Sequence, residues 1–127
     1  MIVGVGIDQV EVARMAGLLE RRPERSRERL FTEGERARCE GRARSAECYA
    51  VRFAAKEAFL KAVGTGWDGS VAWREMEVVS GPGGRPRLRL DGGAARRLRE
   101  AGASSIHLSC THEAGVAAAV VILEGSG

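Results

Sequence analysis

The hydrophobic pattern at the start of the chain predicts one short strand followed by a helix. Residues 2–7 are β-branched and interrupted by glycine, which is typical of a buried strand. Asp8 follows this run and, with Glu11 three residues later, has the form of a helix N-cap and its capping box. The apolar stripe of the helix would consist of Val10, Met15, Leu18 and Leu19.

Two further helices are predicted before the middle of the chain. Thr32 and Glu35 fit the N-cap and the reciprocal partner of a short helix, which frays into a surface loop over residues 36–46. A long helix follows over residues 45–63, because this segment is rich in alanine, leucine, lysine and glutamate and contains no proline.

The second half of the chain has the pattern of strands interrupted by one helix. We expect strands at residues 71–73, 76–79, 86–90, 105–111 and 115–124, and a helix at residues 94–101. Turns at residues 81–84 and 113–115 would join antiparallel neighbours. The sequence therefore predicts an α+β fold in a single domain over residues 1–127.

The last strand has an apolar pattern that a small monomer cannot easily cover. Residues 116–123 show no polar alternation, which is typical of a strand buried on both faces. A chain of this length has few helices with which to cover both faces, and exposed apolar patches usually mark interfaces. We therefore expect a homo-oligomer.

Charge and composition restrict the partners of the chain. The net charge is +3, and eighteen of the twenty basic residues are arginine, which favours an acidic or phosphorylated partner. Aromatic residues do not alternate with the arginines, so nucleic acid is disfavoured. No apolar stretch approaches the ~20 residues that span a bilayer, and no basic leader precedes the first strand. We expect no membrane partner and a cytoplasmic location.

The three cysteines are predicted to be reduced thiols. Cys39, Cys48 and Cys110 are odd in number and follow neither a zinc nor a redox spacing. Reduced thiols are the usual state in a cytosolic protein.

Charged side chains on the long helix have two interpretations. Arg52 and Lys56 lie four residues apart, as do Glu57 and Lys61, so each pair shares one helix face. One interpretation is a surface helix with ordinary ion pairs. The other is a site in which Glu57 holds a metal ion, the cations hold phosphate, and the Gly64-Thr65-Gly66 turn brings backbone close to a ligand.

Two other candidates also have a structural alternative. Asp8 could be only a helix cap, or a ligand for a hard cation at a strand end. His112, at the end of a strand with one polar face, could be structural or part of a site. A basic face on the first helix carries Arg14, Arg21, Arg22 and Arg25, and such a face is often only solvated surface.

Three separated motifs together resemble a known family. They are Gly6-Ile7-Asp8 with Val10-Glu11, the run RFAAKEA at residues 52–58 continuing to Gly64-Thr65-Gly66, and LSCTH at residues 108–112. In this order and spacing, the chain resembles the bacterial holo-[acyl carrier protein] synthases, which are short phosphopantetheinyl transferases. The resemblance covers nearly the whole chain. It implies a long central helix and shorter helices packed on a largely antiparallel sheet.

The resemblance also implies a reaction and a set of roles. The reaction would transfer 4′-phosphopantetheine from coenzyme A to a serine of acyl carrier protein, with Mg²⁺, for fatty acid biosynthesis. Asp8 and Glu57 match metal ligands, and Lys61 matches a lysine near the pyrophosphate. Glu57 would be the base. The positions that match the coenzyme A site, or are candidates for it, are Arg52, Lys56, Gly64, Thr65, Gly66, Arg85, Pro86 and His112.

The resemblance further implies a carrier-protein surface and a quaternary structure. Arg14, Arg21, Arg22 and Arg25 would dock an acidic helix of acyl carrier protein. The oligomer would be a homotrimer with active sites shared between subunits. Two other function classes remain open at this stage: a non-catalytic basic module that binds RNA or an acidic protein, and another Mg²⁺-dependent enzyme acting on a nucleotide pyrophosphate.

Overall fold

The chain alternates between helices and antiparallel strands in the computed structural model, which describes residues 1–126. The helices are α1 (Val12–Arg21), α2 (Pro23–Leu30), α3 (Glu33–Cys39), α4 (Ser45–Ala62) and α5 (Gly92–Glu100). The strands are β1 (Ile2–Glu11), β2 (Met76–Ser80), β3 (Pro86–Leu90), β4 (Ser105–Glu113) and β5 (Val116–Glu124). One antiparallel sheet has the order β1-β5-β4, and β2 with β3 forms a separate hairpin. The predicted α+β fold is confirmed.

Helix α4 forms the centre of the core and packs directly on the three-stranded sheet. Its buried positions include Ala54, Ala55 and Ala58, whose small side chains allow neighbouring backbone to come near. Glycines on β1 complete this close approach. A Cβ on Gly6 would overlap the carbonyl oxygen of Ala58, and a Cβ on Gly4 would overlap that of Ala62.

Strand β1 is longer than predicted, and the expected cap at Asp8 is wrong. The strand continues to Glu11, which pairs with Val116, because β5 provides a partner along this whole stretch. Helix α1 then begins at Val12 without a side-chain cap. Asp8 lies inside the strand opposite Ala119, on the face directed at α4, so its carboxylate is available for other contacts.

Strand β5 is covered on only one face within a single chain. Its buried side chains, Ala117, Ala119, Val121 and Leu123, alternate with half-buried ones. The opposite face of the sheet contains Val5, which pairs with Ile122, and Ile7, which pairs with Val120. Val5 is 59% exposed and Ile7 is 62% exposed. We call this apolar region, consisting of Val3, Val5, Ile7, Ala118, Val120 and Ile122, the outer sheet face.

Most of the remaining elements match their predictions. Thr32 and Glu35 form the expected capping box at the start of α3. The predicted strand at residues 71–73 is wrong, since Trp73–Glu75 is a short 3-10 helix. Its local cause is Glu75, whose carboxylate accepts a hydrogen bond of 2.8 Å from the amide of Ala72 and closes a turn.

The prediction of three reduced cysteines is also wrong. Cys39 and Cys48 form a disulfide, and Cys110 is the free cysteine. The bond forms because the chain doubles back between α3 and α4, which brings the Cα atoms of Cys39 and Cys48 to 5.4 Å. Among residues 1–126, no helix has the length and apolar character needed to cross a bilayer.

The close contact between β1 and α4 predicts opposite effects for two glycine-to-alanine substitutions. Gly6→Ala should lower the free energy of unfolding by about 3 kcal/mol or more, because backbone must move to accept the methyl group. The matched control is Gly17→Ala in α1, where the added Cβ would meet only the flexible end of Arg21. This control should raise stability by about 0.5–1 kcal/mol. Urea unfolding would measure both, and equal stabilities would contradict the steric explanation.

Candidate active site

Asp8, Glu57 and Lys61 converge where β1 crosses the C-terminal half of α4. Lys61 donates hydrogen bonds from Nζ to Asp8 Oδ1 at 3.0 Å and to the Ile7 carbonyl at 3.1 Å. Burial raises the pKa of Glu57, the negative charge of Asp8 raises it further, and Lys61 lowers it. Lys61 on α4 therefore pairs with Asp8 on β1. This contact between two elements differs from an ordinary surface ion pair between Glu57 and Lys61 on one helix.

The two carboxylates of this group could hold a metal ion only if water or a substrate supplied the other ligands. No cluster of three or more histidine, cysteine, aspartate or glutamate side chains suited to a metal occurs in the part of the chain that the structure describes. Mg²⁺ is commonly held by one or two carboxylates while water and substrate phosphates provide its other ligands. Asp8 and Glu57 fit that pattern, and Lys61 adds a cation beside them.

The arginine face of α1 borders the same region. A cleft of about 750 Å³ is lined by Asp8, Arg14, Arg21 and Phe53. All the arginines predicted to bind a partner, Arg14, Arg21, Arg22 and Arg25, are exposed. The cleft therefore has a carboxylate on one wall and cations on the other.

An adjacent groove contains an aromatic stack that the sequence analysis did not select. Arg22 and Arg25 line it together with Trp67 and Trp73, whose rings stack at 6.2 Å. The guanidinium of Arg29 lies 5.9 Å above the Trp67 ring. Both tryptophans lie in the connection between α4 and β2, and the path of this connection brings their rings together.

A separate pocket near the start of α4 brings Arg52 and His112 together. It has a volume of about 440 Å³, and Arg42 and Arg44 from the α3–α4 connection also line it. His112 Nδ1 lies 3.3 Å from Glu47 Oε2. We call this the basic pocket, with Arg42, Arg44 and Arg52 as its cationic residues and His112 beside them. Sequence reasoning missed Arg42 and Arg44, because their segment has no periodic pattern.

Arg52 is held firmly in the wall of the basic pocket. Its guanidinium donates to the Cys48 carbonyl at 3.1 Å and to Cys48 Sγ at 3.2 Å. Burial lowers the pKa of Arg52, while the carboxylate of Glu35 acts in the opposite direction. Its Nε atom is buried and has no hydrogen-bond partner among the described residues.

Lys56 is not available to a ligand, which contradicts its prediction as a binding residue. It is 0% exposed, and its Nζ donates to Glu35 Oε1 at 2.6 Å and to the Leu30 carbonyl at 2.7 Å. Burial lowers the pKa of Lys56, and the Glu35 carboxylate acts against this shift. Glu35 also accepts a hydrogen bond of 2.9 Å from the Val78 amide. This buried pair joins α3, α4 and β2.

The remaining predicted residues lie in two other places. Gly64 and Gly66 have φ values of 86° and 59°, as expected for the turn that ends α4 just beyond Lys61. Arg85 and Pro86 begin β3 and line a pocket of about 340 Å³ with residues of β4, including Cys110. Within one chain the structure therefore distributes the predicted residues over several pockets.

Comparison with known proteins identifies the family. The family model described as the 4′-phosphopantetheinyl transferase superfamily matches residues 4–121. The chain belongs to the 4′-phosphopantetheinyl transferase superfamily. A holo-[acyl-carrier-protein] synthase of Methylobacterium radiotolerans is 55% identical over 98% of this chain and 94% of its own length.

Solved structures support the same family at the level of the fold. The crystal structure of a holo-[acyl-carrier-protein] synthase from Neisseria meningitidis has a TM-score of 0.88 at 33% identity, covering 98% of this chain and 99% of its own. A Bacillus anthracis synthase in complex with CoA (3′,5′-ADP) has a TM-score of 0.81 at 38% identity, covering 99% of each chain. The region matched to the phosphopantetheinyl transferase superfamily includes all of the predicted site residues, from Asp8 to His112.

Proposed function

We propose that this phosphopantetheinyl transferase moves the 4′-phosphopantetheine group of coenzyme A to a serine of acyl carrier protein. Adenosine 3′,5′-bisphosphate is the leaving product, and the holo-carrier protein serves fatty acid biosynthesis in the cytoplasm. The observation that carries the proposal is the convergence of Asp8, Glu57 and Lys61, two carboxylates and a lysine, where β1 meets α4. The names of the relatives support the substrate class.

The roles of the residues follow from the bonds that change. The serine oxygen attacks the phosphorus atom that bears the pantetheine, a new P–O bond forms, and the bond within the pyrophosphate breaks. Glu57 takes the serine proton, directly or through a water, and its raised pKa makes it a stronger base than an exposed glutamate. Lys61 lies beside Asp8 and offsets the charge that develops on the leaving phosphate.

Magnesium fits the same residues. Asp8 and Glu57 would hold Mg²⁺, and the bound ion would offset negative charge on the pyrophosphate. The protein's own contribution is positional: Asp8 is fixed in a paired strand, and Glu57 and Lys61 are fixed one turn apart on a helix buried in the core. Rigid positioning and charge neutralisation are the main sources of rate in phosphoryl transfer.

Assays of phosphopantetheine transfer test the two proposed metal ligands and Lys61. Asp8→Asn and Glu57→Gln should each reduce transfer by about 100-fold or more, the range expected for loss of a general base or charged ligand. Lys61→Ala should lower kcat more than it weakens coenzyme A binding, since charge on the leaving group builds in the transition state. Mass spectrometry of carrier protein incubated with coenzyme A and Mg²⁺ measures the added group.

The matched control is Glu100→Gln, which removes an exposed carboxylate on α5 and should leave transfer unchanged. Circular dichroism should give the same helix content for all variants. Near-native turnover of Asp8→Asn or Glu57→Gln at saturating Mg²⁺ would contradict the metal assignment. Hydrolysis of coenzyme A without modification of the carrier would indicate the nucleotide pyrophosphatase alternative, and binding without any reaction would indicate the non-catalytic module.

The coenzyme A site is proposed to use the basic pocket and the turn after α4. Arg52 provides a cation for phosphate with the His112 imidazole beside it, and the Gly64-Thr65-Gly66 turn allows backbone to approach the ligand. The basic pocket, with Arg85 and Pro86, would come from one subunit, and the turn after α4 from the next. Lys56 has no part in this proposal, because it is buried against Glu35.

The carrier protein is proposed to dock on the arginine face of α1 and the start of α2. Arg14 and Arg21 line the cleft that contains Asp8, so a carrier bound there would hold its serine close to the reacting groups. Arg22 and Arg25 extend the cationic surface along the adjacent groove. Opposite charge across such an interface mainly raises the association rate.

Charge reversal tests this docking surface. Arg14→Glu combined with Arg21→Glu should raise the KM for the carrier protein by about tenfold or more at low salt, since steering would become repulsion. The control is Arg96→Glu combined with Arg99→Glu, an equal charge change on two exposed positions of α5. Binding of adenosine 3′,5′-bisphosphate should not change in either variant. An unaltered KM for the double variant would rule out this surface.

The working unit is proposed to be a homotrimer with shared active sites. The outer sheet face supplies the physical motive, because Val5 and Ile7 are more than half exposed beside Val120 and Ile122. The trimer count and the sharing of sites follow from the family resemblance. In this arrangement Arg85, Pro86 and His112 of one subunit face the Asp8 and Glu57 site of the next.

Subunit mixing tests the shared site. Glu57→Gln and a double variant, Arg85→Ala with His112→Ala, should each be inactive alone. Mixing them after mild dissociation should restore part of the activity. Some interfaces then combine an intact Glu57 from one subunit with intact Arg85 and His112 from its neighbour. Light scattering at the assay concentration gives the assembly state, and a fully active monomer would exclude the shared site.

A further inference from the structure

The Cys39–Cys48 disulfide lies at the edge of the basic pocket. Cys39 ends α3 and is fully buried, whereas Cys48 lies in the first turns of α4 and lines the pocket. The bond joins both ends of the connection that carries Arg42 and Arg44. Two of the three arginines of the pocket are therefore on a segment closed by this bond.

The same disulfide also contacts a third cation of the pocket. Cys48 Sγ and the Cys48 carbonyl both accept hydrogen bonds from the Arg52 guanidinium, at 3.2 and 3.1 Å. A change in the covalent state of Cys48 thus alters an acceptor of Arg52 and the anchoring of Arg42 and Arg44 at once. Disulfides in cytosolic proteins, when they occur, are usually transient and redox-sensing.

We propose that the Cys39–Cys48 disulfide is a reversible redox device that sets the affinity of the basic pocket for the phosphate groups of coenzyme A. The inference rests on the proposed function, which makes this pocket a phosphate site. In the oxidised protein, the α3–α4 connection is held against α4 and its arginines are preorganised. In the reduced protein, the connection is released, and the pocket is complete for only part of the time.

The chemistry is ordinary thiol–disulfide exchange. A thiolate of a cellular dithiol attacks Cys48 Sγ, the sulfur on the pocket side, and Cys39 leaves as a thiolate and takes a proton. The second thiol of the reductant then attacks the mixed disulfide and releases Cys48 as a thiol. The protein gains two electrons and two protons, and the reductant becomes a disulfide. Exchange with an oxidised dithiol reverses each step.

A reciprocal effect follows from the position of Cys48. A ligand in the basic pocket covers the sulfur that the reductant must reach, so ligand binding should slow reduction. If oxidation strengthens ligand binding, linkage also requires bound ligand to favour the oxidised form at equilibrium. The first effect is measured as the rate at which the disulfide is reduced, and the second as its redox equilibrium with bound ligand.

The decisive experiment compares one preparation in two redox states. Isothermal titration calorimetry with adenosine 3′,5′-bisphosphate, which contains no thiol, would be run on oxidised wild-type protein and on protein reduced with a phosphine. The Kd should rise about three- to tenfold on reduction, as expected if the complete pocket is populated for about a third to a tenth of the time. Mass spectrometry after alkylation gives the number of free thiols in each sample.

Cysteine variants assign the effect to this bond. Cys39→Ala and Cys48→Ala should bind like reduced wild type whether or not reductant is present. The control Cys110→Ser removes the remaining thiol and should keep the full redox response. Equal Kd values for oxidised and reduced wild type would overturn the inference, as would a response that follows Cys110.

Transfer assays on the same samples distinguish the two possible failures. Because coenzyme A is itself a thiol, free thiols are counted again after each assay. Equal transfer at subsaturating coenzyme A by samples whose thiol counts still differ would mean that the device is absent while the proposed function stands. Absence of transfer in both states would mean that the proposed function itself is wrong. Faster transfer by the oxidised protein than by the reduced protein, with no such difference in Cys48→Ala, would support both the redox device and the proposed function.

Discussion

The close approach of β1 to α4 is the contact on which the rest of the structure depends. Gly4 and Gly6 leave no room between strand backbone and the helix carbonyls of Ala58 and Ala62. At ordinary helix-to-sheet spacing, Asp8 would stand farther from the residues at the end of the helix. The two glycines therefore have a functional consequence as well as a packing one: they determine how near the strand carboxylate comes to Lys61.

A buried ion pair holds the other side of α4 in place. Glu35 accepts hydrogen bonds from Lys56, from Thr32 and from Val78, so one carboxylate joins a helix start, the central helix and a strand of the hairpin. Removing one partner of such a pair leaves an uncompensated charge in the core, which typically costs about 3–5 kcal/mol. Adjacent residues of α4 therefore have different roles. Lys56 holds the helix in the core, and Glu57 faces the candidate active site.

Sequence patterns predicted the elements well where one physical rule was dominant. The composition of α4, the capping box at Thr32 and the turn after Gly64 were each sufficient to predict local structure. The helix-cap alternative for Asp8 was wrong because a strand end and a helix cap have the same local pattern, and only the pairing of β1 with β5 distinguishes them. Lys56 was misassigned because spacing along a helix does not reveal which face meets the core. The cysteine bond depends on a chain reversal between α3 and α4, for which the sequence has no periodic signal.

The distribution of cationic residue types has a chemical consequence. The chain contains two lysines among its twenty basic residues, and the other eighteen are arginine. Lys56 is sealed in the core, whereas the side chain of Lys61 is about half exposed. Arginine does not react with acyl thioesters or other amine-directed electrophiles under mild conditions, because its guanidinium stays protonated. Among the basic side chains, Lys61 therefore carries the one amine outside the core that an acylating electrophile can modify.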